Sequence, residues 1–216
     1  MSFLNIPYGL VIEWMCLIAS IFLLRKSTPK FWQLFIPYLL ITVGVETYSY
    51  VSIFAFRNTN THLLYNIFLL VYIIFHTYIF SKIIDLRFAK IIIWISFTFL
   101  LLYYGFESST KWPNYLSMTN TLFGGLIILL SILYYFSIFK QDELKQAEFW
   151  FVTGCLIFYA VSTGVNAFFD QLLFMDKKNA YIFRYIIITL GNFSMYGCWI
   201  KSFLCVKDNQ IYLRRL

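Results

Sequence analysis

Residues 63–84 read LLYNIFLLVYIIFHTYIFSKII, and this stretch decides the fold. From Leu63 to Ser81 it holds no Asp, Glu, Lys or Arg. A helix rises about 1.5 Å per residue, so a run of this length crosses the ~30 Å hydrocarbon core of a bilayer. Working outward, the same pattern recurs on both sides. Spans are predicted near 8–24, 31–56, 63–84, 91–107, 121–139, 147–169 and 181–206. The segments between them are RKSTPK, RNTNTH, DLRFAK, ESSTKWPNYLSMTN, KQDELKQ and DQLLFMDKKN, all polar and several with Pro, Asn or Ser turn chemistry.

Whole-chain composition agrees. The 216 residues are 61% hydrophobic and 12% charged, against about 45–50% and about 25% in soluble domains. The expected fold is all-α: a polytopic membrane bundle of seven transmembrane helices over residues 1–206, with a short basic tail at 207–216. Seven spans use most of the chain, so any recognition or chemistry belongs to the bundle and its short loops. The opening MSFLNIPYGL lacks a basic n-region, which makes the first span an uncleaved insertion signal.

Lys and Arg counts set the orientation. One side carries Arg25, Lys26, Lys30, Lys82, Arg87, Lys90, Lys140, Lys145, Lys201, Lys207, Arg214 and Arg215, which is 12; the other carries Arg57, Lys111, Lys177, Lys178 and Arg184, which is 5. The richer side is expected in the cytoplasm of a plasma (inner) membrane, leaving the N-terminus outside and the C-terminus inside. The net charge of +7 is absorbed by these loops, and there is no basic block that would point to nucleic acid. Cys16, Cys155, Cys198 and Cys205 lie in apolar runs without CxxC spacing, so neither a metal site nor a cofactor is expected. The 22% aromatic content reads chiefly as lipid-facing bulk and interface belts. Phe31-Trp32 and Phe149-Trp150 open the second and sixth spans, and Lys82 and Lys201 end the third and seventh; a 3+1+3 parallel repeat would produce this. Coincidence in an aromatic-rich chain is the competing account.

Ionisable groups in a span cost on the order of 2.5–3.5 kcal/mol at the centre, so they point to function. Glu13, Glu46, Asn66, Asn166 and Arg184 all fall in the outer half of five different spans. With Tyr48 they define an expected outward-facing pocket. Two carboxylates would hold a small cationic or amphipathic ligand or pair with Arg184, the Asn side chains would orient it, and tyrosines would supply walls. The competing reading is a polar cluster that pins helix packing. His76 stands alone at its depth, either as a proton relay or as a packed, hydrogen-bonded histidine. Gly124-Gly125 in the fifth span permits a kink or a close helix contact.

Seven helices with the N-terminus outside invite comparison with microbial rhodopsins, but the seventh-span Lys201 is too near the inner end and the third span has no carboxylate. Seven-helix zinc hydrolases need three histidines, and only His62 and His76 are present. The layout, the acidic Glu46, the Leu64-Tyr65-Asn66 start of the third span and the Phe149-Trp150…Gly154 start of the sixth resemble small bacterial seven-transmembrane proteins that accompany signalling or defence systems. The resemblance implies regulation more than catalysis. The expectation is a non-enzymatic sensor or regulatory subunit without an output domain, acting through a membrane or cytoplasmic protein partner or as a homo-oligomer. A transporter or oligomeric effector pore is the alternative, and an intramembrane enzyme the third.

Overall fold

The computed structural model describes residues 7–24, 29–56, 61–112, 114–141, 145–175 and 177–213, excepting the side chains of 54–56, 139–141, 169–170, 172–173, 175, 177–178 and 209–213. Of the residues used to assign orientation, Arg25, Lys26, Arg57, Arg214 and Arg215 lie outside the described residues, as do the side chains of Lys140, Lys177 and Lys178. Among the described residues all regular structure is helical: α1 Tyr8–Leu23, α2 Lys30–Gln33, α3 Phe35–Phe56, α4 His62–Ile83, α5 Arg87–Lys111, α6 Ser117–Gln141, α7 Gln146–Met175 and α8 Lys177–Leu213.

Five helical runs are long and apolar enough to cross a membrane: Lys30–Ile53, His62–Ile83, Arg87–Lys111, Ser117–Ile138 and Gln146–Phe168. That marks a membrane protein. α1 is apolar but has 16 residues, about 24 Å of helix. α8 is the longest helix at 37 residues, but Arg184, Asn192 and Lys201 dilute its apolar character. It stays helical through Leu213, so most of the expected tail continues the last helix. The lipid-facing surface is clearest on α5, where Phe88, Ile91, Ile95, Phe99, Leu102 and Phe106 recur at helical spacing and are all more than half exposed. Such a stripe would be an aggregation site in water and is ordinary in lipid.

α1, α3, α4, α6, α7 and α8 contact one another in a closed ring, and α5 packs outside it against α4 and α6. The tightest contact is between α7 and α8. A Cβ on Gly154 would lie 2.9 Å from both Met195 O and Cys198 Cβ, so only a bare backbone lets the helices meet there. Gly124 serves α6 and α7 similarly, with Thr163 Oγ1 2.5 Å from its Cβ position, whereas Gly125 has nothing within 4 Å.

α2 and α3 are one rod broken at Leu34. Pro37 explains the break: it lacks an N–H for the Gln33 carbonyl, and its ring crowds that carbonyl. The next bond, Tyr38 N to Leu34 O, resumes at 3.2 Å. The break aims Trp32 and Phe35 into the bundle. Phe35 is fully buried, with the Trp32, Phe75, Phe151, Trp199 and Phe203 rings all at 4.9–5.4 Å from its own. Most of these pairs are edge-to-face, which contributes about 0.5–1.5 kcal/mol each beyond area burial. We call this cluster the aromatic plug and its end of the bundle the closed end. A large share of the aromatic content is therefore core rather than lipid-facing bulk.

The opposite end carries the α5–α6 link, which is shorter than the apolar pattern suggests because both helices run on to Lys111 and from Ser117. Glu107 explains the extension. Its 2% exposed carboxylate accepts bonds from Lys111 Nζ at 3.0 Å, Thr119 N at 2.8 Å and Thr119 Oγ1 at 2.7 Å. An anion there satisfies free N–H groups at the α6 N-terminus and favours its dipole.

Candidate functional site

Away from the plug, the ring opens into a cavity of about 640 Å³ walled by α1, α3, α4, α6, α7 and α8. Helical spacing dictates who lines it. α3 presents Glu46, Ser49, Tyr50 and Ile53; α8 presents Tyr181, Arg184, Tyr185, Ile188, Thr189 and Asn192; α7 presents Ser162 and Asn166. Each set follows steps of three and four residues, the signature of one helix face. α1 adds Gly9, Leu10 and Glu13, α4 adds Tyr65 and α6 adds Asn120.

Glu13 forms the floor. Gly9, one turn above it, has Asn192 Nδ2 3.4 Å from its Cβ position. Glu13 is 6% exposed, and its Oε2 is buried with no hydrogen-bond partner. It lies within electrostatic range of Glu46, which lines the same cavity, and of the buried Tyr196. Glu46 is better held: Tyr65 Oη donates to its Oε2 at 3.0 Å. Arg184 sits nearer the mouth; it is 12 residues from Tyr196 on α8, about 18 Å along the axis. Two carboxylates on one low-dielectric wall need compensation by cations, protons or hydrogen-bond donors.

A side chamber of about 160 Å³ opens between α4, α6 and α7. It shares Tyr65, Asn120, Ser162 and Asn166 with the main cavity, and Phe68, Tyr72, Phe158 and Tyr159 form its aromatic walls. Beneath it lies His76, fully buried, with Nδ1 3.0 Å from Tyr72 O and Nε2 unpartnered. Tyr38, Tyr72, Phe75, Phe123, Tyr159 and Trp199 surround the imidazole at ring separations of 4.6–6.0 Å. The geometry is that of a packed histidine at the boundary between chamber and plug.

The structure thus brings Glu13, Glu46, Asn166 and Arg184 to one cavity and leaves two expected members out. Tyr48 is 60% exposed and lines a shallow groove on the outer side of α3 with Trp14 and Leu40. It stands two residues from Glu46, about 200° around the helix, so both cannot face inward. Asn66 is fully buried and holds the α5–α6 link: its Nδ2 donates to Asn114 O at 2.9 Å and its Oδ1 accepts from Leu116 N at 3.1 Å. It is a clamp, not a wall. The side chain of Asp170, four residues after Asn166, lies outside the described residues. Tyr65, Asn120, Ser162 and Asn192 were not expected; Tyr65 is the residue beside Asn66, and Asn192 follows Arg184 by two turns on the same face. Among the described residues no group of three His, Cys, Asp or Glu could hold a metal.

Comparison of the chain with protein-family models, with curated proteins and with solved structures finds no match.

Proposed function

We propose that this protein is an integral membrane sensor or regulatory subunit with seven spans, its N-terminus outside and C-terminus cytoplasmic in a plasma (inner) membrane. The cavity takes a small cationic or amphipathic ligand from outside. Helix movement passes the occupied state through the aromatic plug to a membrane or cytoplasmic protein partner. The role is non-enzymatic, in keeping with companions of signalling or defence systems. The observation that carries the reading is a cavity with Glu13 and Glu46 on its wall and a buried, close-packed aromatic cluster beneath it. A cavity open at one end binds without conducting, and two neighbouring carboxyl groups on its wall are stabilised as anions by a bound cation.

A map of the protein in lipid nanodiscs tests this. Density beside Glu13 and Glu46 with the plug closed supports the sensor; a water-filled path through the ring or between copies replaces it with a pore. A carrier is the second reading, favoured by the discontinuity between α2 and α3 at the closed end. Proteoliposome uptake of organic cations decides between them, since a sensor gives no flux above empty vesicles.

A further inference from the structure

We infer that the ligand is an arylalkylamine, its ammonium at Glu13 and Glu46 and its ring in the side chamber between α4, α6 and α7. This deepens the cation reading above and rests on it. The charged half follows from Glu13, which is buried, faces the cavity and keeps one oxygen without a donor. An ammonium supplies up to three donors to such a wall. A hard metal ion would need six or more oxygen ligands at fixed distances, and the carboxylate pair sits instead among tyrosine rings in a space of about 640 Å³. That volume is typical of organic ligands.

The aromatic half follows from the chamber. Its roughly 160 Å³ matches the ~150 Å³ of a cavity that accepts benzene. Phe68, Tyr72, Phe158 and Tyr159 offer faces and edges to a ring. Gly124 and Thr163 close the chamber where α6 meets α7, with Thr163 Oγ1 2.5 Å from the Gly124 Cβ position. Tyr65 joins the two halves: it lines both spaces while its hydroxyl is bonded to Glu46. A two-carbon tether would place a ring on one side of Tyr65 and an ammonium on the other.

The test is calorimetric titration of the nanodisc-embedded protein with 2-phenylethylamine and with ethylamine, which has the same charge and no ring. Wild type should prefer 2-phenylethylamine by about tenfold to a hundredfold. Thr121 lines the chamber and not the main cavity, so Thr121→Phe should fill it, abolish that preference and leave ethylamine binding unchanged. Phe158→Ala, widening it, should shift preference toward 2-(1-naphthyl)ethylamine. Glu13→Gln and Glu46→Gln should each weaken both amines, and the melting curve of every variant reports its folding. Equal affinity for the two amines, unaltered by Thr121→Phe, overturns the ring site while the cation site stands. No binding of either amine to folded wild type overturns both.

Discussion

The two ends of this bundle belong to one ring of helices, joined by α2 at the closed end, and are built by opposite rules. At the closed end, Trp32, Phe35, Phe151, Trp199 and Phe203 fill the ring. Ser137 Oγ donates to Tyr134 O at 2.7 Å and Ser202 Oγ to Ala147 O at 2.6 Å, while Trp199 Nε1 and Tyr134 Oη are neutral donors buried without a partner. At the cavity end the ring carries Glu13, Glu46, Asn166 and Arg184 around open space, and a buried carboxylate oxygen goes unpartnered. The difference teaches where stability and binding are kept. A transmembrane helix satisfies its own backbone, so the bundle does not need uniform packing. A tight plug and a clamped α5–α6 link hold the ring, and the inner wall of the cavity is left free to be polar.

Phe35 is where that division breaks hardest if it is wrong. Phe35→Ala removes a ring with five aromatic partners. It should cost about 3–5 kcal/mol, as large-to-small changes in tight cores do. Denaturant unfolding in nanodiscs measures the loss. A Phe35→Ala protein as stable as wild type would mean that the plug is not what holds the ring.

Asn66 comes next, because it tests whether the cavity end has a scaffold of its own. Asn66→Leu keeps the volume and strips partners from Asn114 O and Leu116 N. Two orphaned backbone groups cost about 2–4 kcal/mol together. Unfolding should show that loss, and amide exchange should rise first at the α5–α6 link. A loss of ligand affinity at unchanged stability would instead return Asn66 to the site.

Glu13 reverses the sign. Glu13→Gln replaces a buried carboxyl whose Oε2 has no partner with a neutral amide of similar shape, so stability should hold or rise by about 1 kcal/mol while cation binding falls. Thermal melts and calorimetry on one preparation check both halves. A destabilised Glu13→Gln would make the carboxylate a packing element, as the competing sequence reading had it.

How much of this was legible in the sequence follows from helix geometry. Depth was readable: rise per residue is constant, so Glu13, Glu46, Asn166 and Arg184 could be placed at one end from their distance to the polar segments. Azimuth was not. In lipid both faces of a helix are apolar, so the pattern that marks an inward face in water is absent. Tyr48 was misplaced for that reason, although its two-residue offset from Glu46 was sufficient to separate them. Asn66 was read as a wall because its partners are backbone atoms 48 and 50 residues away, which carry no side-chain signal. The break before α3 was missed, since residues 31–56 were read as one span, although Pro37 marks it. The capping role of Glu107 was not, because its acceptor bonds depend on where α6 starts.

The smallest effect gives the sharpest reading of azimuth. Tyr48→Phe and Tyr65→Phe delete the same hydroxyl from the same residue type. The first hydroxyl belongs to a tyrosine on the outer face of α3, 60% exposed. The second donates to Glu46 at 3.0 Å inside the cavity. Losing a hydrogen bond to a charged group costs about 1.5–3 kcal/mol when the site is desolvated, so cation affinity should fall about tenfold or more in Tyr65→Phe. Tyr48→Phe should leave affinity unchanged and stability within about 0.5 kcal/mol. Calorimetry on the two variants side by side reads the difference directly. The opposite result would require α3 to be turned by about half a revolution, since two residues subtend about 200°. That turn would carry Glu46 out of the cavity, and the division between the two ends would have to be redrawn around Tyr48.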